Sequence, residues 1–223
     1  ASAALRQAYL LVASGMMDVV AACGVEKMTD TSSDDITAAL AAAADAEYES
    51  EHGLSFIGLN ALLMQRYMHE YGWRRADFAN FAINAHRNAV NNPNAMFRKA
   101  INAEAFEKAK VIASPVSLLD SAAIADGAAA VVLAPEPLAR TLGSPLVRIA
   151  ASAAATDSLA LHDRRSILEL DAAFVSAQKA YAQARVRPDD IDFFELHDAF
   201  TIMSALSLEA AGFAGRGQGV RLA

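Results

Sequence analysis

The sequence predicts an α/β fold with a mostly helical insertion, and three observations support that prediction. Apolar runs of strand length occur at residues 18–26, 125–137 and 190–200. Stretches with a helical spacing of apolar residues lie between them, as expected where strands and helices alternate. Between about residues 29 and 112 several helical stretches follow one another without a strand, so we expect an inserted helical region there.

The first elements are a helix and a strand. Residues 1–15 contain strong helix formers and end at Gly15, which is typical of a helix stop. The continuous apolar run DVVAACGVE (18–26) predicts a parallel strand buried on both faces. Cys23 lies within this run, so we expect a buried structural side chain rather than a nucleophile.

The insertion is expected to contain three well-marked helices. Residues 55–72 have an amphipathic pattern that ends near Gly72, and residues 75–90 have another that NNPN closes. Residues 93–110 give the third pattern. The acidic stretch from Thr29 to Glu51 predicts an exposed loop with a helix.

The second half returns to alternating elements. Residues 125–137 and 144–156 are predicted strands, residues 168–186 a helix, and DIDFFELHDAF (190–200) the next buried strand. The sequence GRGQG near the end does not follow a strand, as a dinucleotide-binding loop must, and predicts a flexible loop instead.

Composition excludes several classes of protein. The net charge of −7 argues against nucleic acid as the main partner. No uninterrupted apolar run reaches about 18 residues, so no membrane span is expected. A single cysteine fits a reducing compartment, and we therefore expect a cytoplasmic protein.

Charge is unevenly distributed along the chain. Residues 64–110 contain 8 basic and 4 acidic side chains, whereas residues 1–63 contain 2 basic and 9 acidic ones. This basic segment suits a small anionic ligand, but charge alone favours the simpler explanation of a chance cluster on solvated helices. None of the five histidines forms a metal-binding spacing, so we expect no metal site.

The pair His197–Asp198 is the strongest candidate for chemistry. It follows Phe193, Phe194 and Leu196 at the end of a predicted strand, where ligands bind in α/β sheets. A histidine there can hold a water molecule or donate to a developing oxyanion. The alternative is a hydrogen-bonded core histidine with Asp198 as a helix N-cap, and the pattern does not decide between the two.

Several stretches resemble the thiolase family. SAALRQAYLLVASGMMDVVAACGVEKMTD resembles the segment that follows the nucleophilic cysteine of thiolases. HRNAVNNPNAMFRKAINAEAF and LLDSAAIADGAAAVVLA resemble the end of the thiolase loop domain and the next strand. DIDFFELHDAFT resembles the motif read as NEAF in ordinary thiolases, in the HDAF version of the sterol-carrier-protein-type branch and its bacterial and archaeal relatives.

This resemblance implies a fold and a division into domains. Thiolases have two βαβαβαββ halves stacked in five layers, with a loop domain in the first half. By this resemblance, residues 1–144 are the end of the N-terminal half with the loop domain at about 29–112, and residues 145–223 start the C-terminal half. A homodimer or tetramer, and in some relatives a partner protein, are also implied.

The resemblance also implies thiolytic cleavage or Claisen condensation of acyl-CoA thioesters, with coenzyme A as a substrate and no separate cofactor. His197 then has the catalytic role of ordering a water in an oxyanion hole. Ala199 and Phe200 match the pair that lines the pantetheine path, and Asp198 matches a supporting acidic position. Two rivals are a thiolase-like retro-aldol lyase and a non-catalytic protein that binds lipid or acyl-CoA.

The family's covalent chemistry uses groups that these residues do not supply. By the resemblance, the nucleophilic cysteine precedes Ala1, and the GHP histidine and second cysteine follow Ala223. We therefore expect an internal segment, truncated at both ends. We predict that the 223-residue chain alone does not cleave acetoacetyl-CoA with coenzyme A, and a measurable rate in that assay contradicts this prediction.

Overall fold

The fold combines eight α-helices with two small sheets among the residues that the computed structural model describes, 2–143 and 145–223. The α-helices are α1 (Ser2–Ala13), α2 (Ser33–Ala41), α3 (Phe56–Tyr71), α4 (Ala79–Ala89), α5 (Ala103–Lys108), α6 (Glu136–Thr141), α7 (Asp171–Ala184) and α8 (Thr201–Ala210). None of these helices has the length and apolar character needed to cross a membrane. Short 3₁₀ turns include Arg75–Phe78 and Gly219–Leu222.

The four strands form two antiparallel pairs. Strand β1 (Val20–Glu26) pairs with β4 (Gly127–Leu133), so that Val20 lies opposite Leu133 and Glu26 opposite Gly127. Strand β2 (Val111–Ala113) pairs with β3 (Val116–Ser117). The prediction that 18–26 is a parallel strand buried on both faces is therefore wrong. An antiparallel pair needs cover on one face only, and α1 supplies it here.

The structure also corrects two predicted strands. Residues 145–156 and 191–199 form no hydrogen-bonded strand. Among the described residues an isolated bridge, between Ser121 and Phe200, follows directly after the second of these stretches. Phe193, predicted to be buried, is 82% exposed. A strand forms only where a neighbouring strand supplies its backbone hydrogen bonds, so an apolar run alone does not specify a strand.

The helical insertion between β1 and β2 is confirmed, and helix ends follow local signals. Helix α3 begins where the Ser55 hydroxyl accepts a hydrogen bond from the N–H of Gly58 (3.1 Å). It ends at Gly72, whose φ of 73° is the left-handed conformation of a helix C-cap. The predicted helix 93–110 is shorter, because α5 starts only after the Asn102 cap.

The main core forms where α3 and α4 pack against α8. Tyr67, Phe78, Phe106 and Ile202 are fully buried within it. A smaller apolar cluster lies between α1 and the β1–β4 pair, around Ala8, Ala22 and Leu133. Burial is thus concentrated around α8, the helix that immediately follows the HDAF motif.

The glycine-rich stretch after α8 is held by a carboxylate, which corrects the expectation of a flexible loop. Glu209 accepts hydrogen bonds from the N–H groups of Gly217 (2.9 Å) and Gly219 (2.8 Å). It also accepts one from the hydroxyl of Tyr67 on α3. The carbonyl of Gly217 in turn accepts from the indole of Trp73 (2.9 Å). The loop is therefore attached to α3 and α8 at defined points.

Gly219 is required because the backbone of α8 approaches it closely. A methyl group at this position would overlap the carbonyl of Ala205. Gly219→Ala is expected to lower the free energy of unfolding by about 2–4 kcal/mol through this overlap and the disturbed bond to Glu209. Urea unfolding measures the effect. Gly215→Ala is the matched control in the same loop, since its added methyl lies 4.0 Å from the nearest atom.

The Tyr67–Glu209 contact predicts a pH effect at the alkaline end. Burial and the neighbouring carboxylate raise the pKa of Tyr67 above its ordinary value of 10.0. The folded chain thus keeps a proton that the unfolded chain loses, so this stabilisation is present below pH 10 and declines above it. Relative to Tyr67→Phe, the wild-type chain should lose up to about 1.4 kcal/mol of stability per pH unit there. Parallel stability curves for the two chains contradict the prediction.

Candidate functional site

The predicted site residues lie at the end of an irregular segment, residues 191–199, that leads into α8. His197 and Asp198 are both exposed, Ala199 is half-buried, and Phe200 is buried. Neither the imidazole of His197 nor the carboxylate of Asp198 has a hydrogen-bond partner among the residues 2–143 and 145–223. Both side chains are therefore accessible to a ligand, whereas Phe200 packs on Phe56 with ring centroids 5.6 Å apart.

A neighbouring stretch holds this segment from one side. The N–H of Ala122 donates to the carbonyl of Ala199 (2.9 Å), and the N–H of Thr201 donates to the carbonyl of Asp120 (2.8 Å). These two bonds flank the bridge between Ser121 and Phe200. The backbone of residues 199–201 is consequently fixed at the point where the HDAF motif becomes helix α8.

The carboxylate of Asp120 lies at the centre of a buried polar cluster. The residue is 2% exposed, and Ser117 and Thr201 are 0% and 5% exposed. One carboxylate oxygen, Oδ2, accepts from the N–H (2.9 Å) and hydroxyl (2.7 Å) of Ser117. The other, Oδ1, accepts from the hydroxyl of Thr201 (2.8 Å). A buried carboxylate with three donors is well satisfied, as its desolvation requires.

Arg75 supplies the opposite charge. Its Nε lies 3.4 Å from Asp120 Oδ2, which is a charge contact without a hydrogen bond. Its Nη2 donates to the hydroxyl of Ser117 (2.9 Å) and the carbonyl of Phe106 (2.6 Å). The guanidinium also lies over the Phe106 ring, 4.7 Å from the centroid. One arginine of the insertion is thereby connected to the stretch that holds the HDAF motif.

A cleft of about 450 Å³ separates α4 from residues 194–198. Asn80, Asn84 and Asn88 line it from α4, because residues four apart share one face of a helix. Phe194 and Asp198 line the opposite side. The cleft combines the amide donors and acceptors of α4 with a facing wall that carries both the Phe194 ring and acidic side chains, so it suits a ligand rich in hydrogen-bonding groups.

Part of the basic segment is neutralised on the surface. Arg66, Arg74 and Lys108 form ion pairs with acidic residues of their own helical turns. Within residues 64–110, the exposed basic side chains without an ion pair in the described part of the chain are Arg87, Arg98, Lys99 and Lys110, and Arg87 donates to the amide oxygen of Asn84. Arg98, Lys99 and Lys110 have no side-chain partner there and are the candidates for contact with a phosphate group.

One further sequence expectation is corrected by the structure. Cys23 was expected to be buried, and this is wrong: it is exposed on β1, opposite Ala130. Among the described residues there is no group of three or more His, Cys, Asp or Glu side chains that could hold a metal ion.

Sequence reasoning missed the cluster around Asp120. Its members are Arg75, Ser117, Asp120 and Thr201, which no sequence motif connects. One signal was present, because Asp120 follows the apolar run VSLL, and a charged residue beside an apolar run is unusual unless it is paired.

Comparison with known proteins gives the family. The family model described as "Thiolase, N-terminal domain" matches residues 1–137, and "Thiolase C-terminal domain-like" matches residues 153–223. Acetyl-CoA acetyltransferase of Methanothermobacter thermautotrophicus is 43% identical over 98% of this chain and 56% of its own length. Human sterol carrier protein 2 is 29% identical over 99% of this chain and 43% of its own length.

A solved structure extends the likeness to three dimensions. The "Ltp2-ChsH2(DUF35) aldolase" matches with a TM-score of 0.81 and 27% identity, over 99% of this chain and 59% of that one. The expected thiolase-like fold is thereby confirmed, and the chain spans about half the length of the relatives it matches. The chain belongs to the thiolase family.

Proposed function

We propose that these residues serve an acyl-CoA C-acyltransferase that cleaves or condenses acyl-CoA thioesters. The observation that carries this proposal is the 43% identity, over 98% of the chain, to an acetyl-CoA acetyltransferase. The exposed imidazole of His197 at the entrance to α8 supports it. An accessible histidine can bind a water molecule or a thioester oxygen, and the expected role needs such a group.

His197 would act on the thioester oxygen while charge develops there. A hydrogen bond aimed at a developing oxyanion stabilises the transition state more than the ground state. His197 is therefore proposed to hold the water of an oxyanion hole, with Asp198 as a supporting acid beside it. Ala199 and Phe200 are proposed to border the pantetheine arm, and the packing of Phe200 on Phe56 gives that border a rigid base.

Coenzyme A would need cations for its phosphates. The exposed, unpaired basic residues Arg98, Lys99 and Lys110 are the proposed contacts. We also propose that residues 145–223 are the start of a second thiolase half. The whole protein is proposed to form a homodimer or tetramer, to bind a partner protein, and to be cytoplasmic.

A retro-aldol lyase is the second candidate, because the structural neighbour at TM-score 0.81 is described as an aldolase. The two reactions differ in their need for a nucleophilic cysteine. The coding sequence on both sides of residues 1–223 is therefore the first thing to read. A cysteine upstream, with a GHP motif and a second cysteine downstream, favours the acyltransferase. Another residue in place of the first cysteine favours the lyase or a non-catalytic acyl-CoA-binding protein.

The role of His197 is tested in the protein encoded by the whole reading frame. His197→Ala should lower kcat for acetoacetyl-CoA thiolysis by about 10²–10³-fold, the usual effect of losing one oxyanion-hole donor. His197→Asn, which keeps a hydrogen-bond donor, should retain more activity. His52→Ala is the control, since His52 is also exposed and lies outside the site. An undiminished kcat in His197→Ala contradicts the proposed role.

A further inference from the structure

We propose that the cluster of Arg75, Ser117, Asp120 and Thr201 is a positioning device that sets the orientation of His197. This inference rests on the proposed function of His197. It goes beyond that function because it assigns a role to four residues that need not touch a substrate. The cluster acts through the backbone of residues 199–201, where the HDAF motif enters α8.

His197 has no hydrogen-bonded support of its own. From residue 192 to residue 198 the segment has no backbone hydrogen bond to another part of the described chain, and it contacts the fold upstream of His197 where Phe194 packs on Phe213. The nearest fixed point is the carbonyl of Ala199, which accepts from the N–H of Ala122. The orientation of His197 relative to the rest of the fold therefore depends on how residues 199–201 are held.

Asp120 holds the start of α8 through two hydrogen bonds. Its backbone carbonyl accepts from the N–H of Thr201 (2.8 Å), and its Oδ1 accepts from the hydroxyl of the same residue (2.8 Å). Two bonds between the same two residues fix both the distance and the rotation of the α8 start relative to residues 120–122. A single bond would leave rotation about its axis free.

The carboxylate of Asp120 is itself held in one orientation. Its other oxygen is occupied by the N–H and hydroxyl of Ser117 and faces Arg75. Arg75 is itself fixed by the carbonyl of Phe106 and by the Phe106 ring. The carboxylate thus has one geometry, set by the insertion, and it passes that geometry to Thr201. Packing of Phe200 on Phe56 adds a constraint from the apolar side.

Thr201→Val tests the cluster with the least disturbance. It removes only the hydroxyl bond to Asp120, because valine has nearly the same shape and keeps the backbone N–H. Thr201→Ser retains a hydroxyl and is the rescue variant. Thr37→Val is the matched control, since the Thr37 hydroxyl bonds a backbone carbonyl within the exposed helix α2 (2.8 Å to Ser33).

The first measurement is amide hydrogen exchange in the protein from the whole reading frame. Thr201→Val should raise the exchange rates at Ala122 and at position 201 about five- to tenfold, whereas Thr201→Ser and Thr37→Val leave them near wild type. Unchanged rates at both positions in Thr201→Val overturn the inference. This readout needs no turnover, so it decides the question even if the proposed reaction is wrong.

The second measurement separates positioning from general stability. Thr201→Val should lower kcat for acetoacetyl-CoA thiolysis about ten- to a hundredfold with KM within about twofold, as a misplaced catalytic group does. In a His197→Ala background the same substitution should cause no further loss, because the group it positions is gone. If the two substitutions reduce kcat independently, so that their factors multiply in the double variant, the inference is overturned. Full activity of His197→Ala alone refutes the proposed function instead, and hydrogen exchange then still decides whether the cluster holds residues 199–201.

Discussion

The buried carboxylate of Asp120 is the interaction on which the arrangement of the candidate site depends. Removing a charge from water is costly, and the cost is offset only when every oxygen finds donors at the right distance. Here the donors come from Ser117 and Thr201, and the opposite charge comes from Arg75. The cluster is stable only when the insertion, the residues before β4 and the start of α8 are all in place.

Helix α8 is fixed by carboxylates at both of its ends. Thr201 at its first position donates to Asp120, and Glu209 near its last position accepts from the glycine-rich loop and Tyr67. The two anchors are separated by about 12 Å along the helix, given a rise of 1.5 Å per residue. Tyr67 and Arg75 both belong to the inserted region. The insertion therefore fixes the position of α8 through polar contacts, in addition to burying its apolar side chains.

The sequence predicted those features that are encoded locally. The helices of the insertion were found because Ser55, Gly72 and the apolar spacing act within one turn. The strand at 190–200 was predicted wrongly, because hydrogen-bonded pairing depends on a neighbour that is distant in sequence. For the same reason no local pattern connects Arg75, Asp120 and Thr201. The motif HDAF identifies the place of the candidate site in the sequence, whereas the residues that hold it are brought together only by the fold.

The division between exposed and buried members of the HDAF motif has a physical consequence. His197 and Asp198 are exposed to solvent, whereas Ala199 is hydrogen-bonded to the neighbouring stretch and Phe200 is buried, so the backbone support of the motif begins at position 199. A catalytic group gains rate from a fixed position, and residues 192–198 make no backbone hydrogen bond to another part of the described chain that would fix His197. The attachment of residues 199–201 must therefore be rigid. The Asp120 carboxylate, which accepts several hydrogen bonds and faces the charge of Arg75, is more rigid than an apolar contact of the same size.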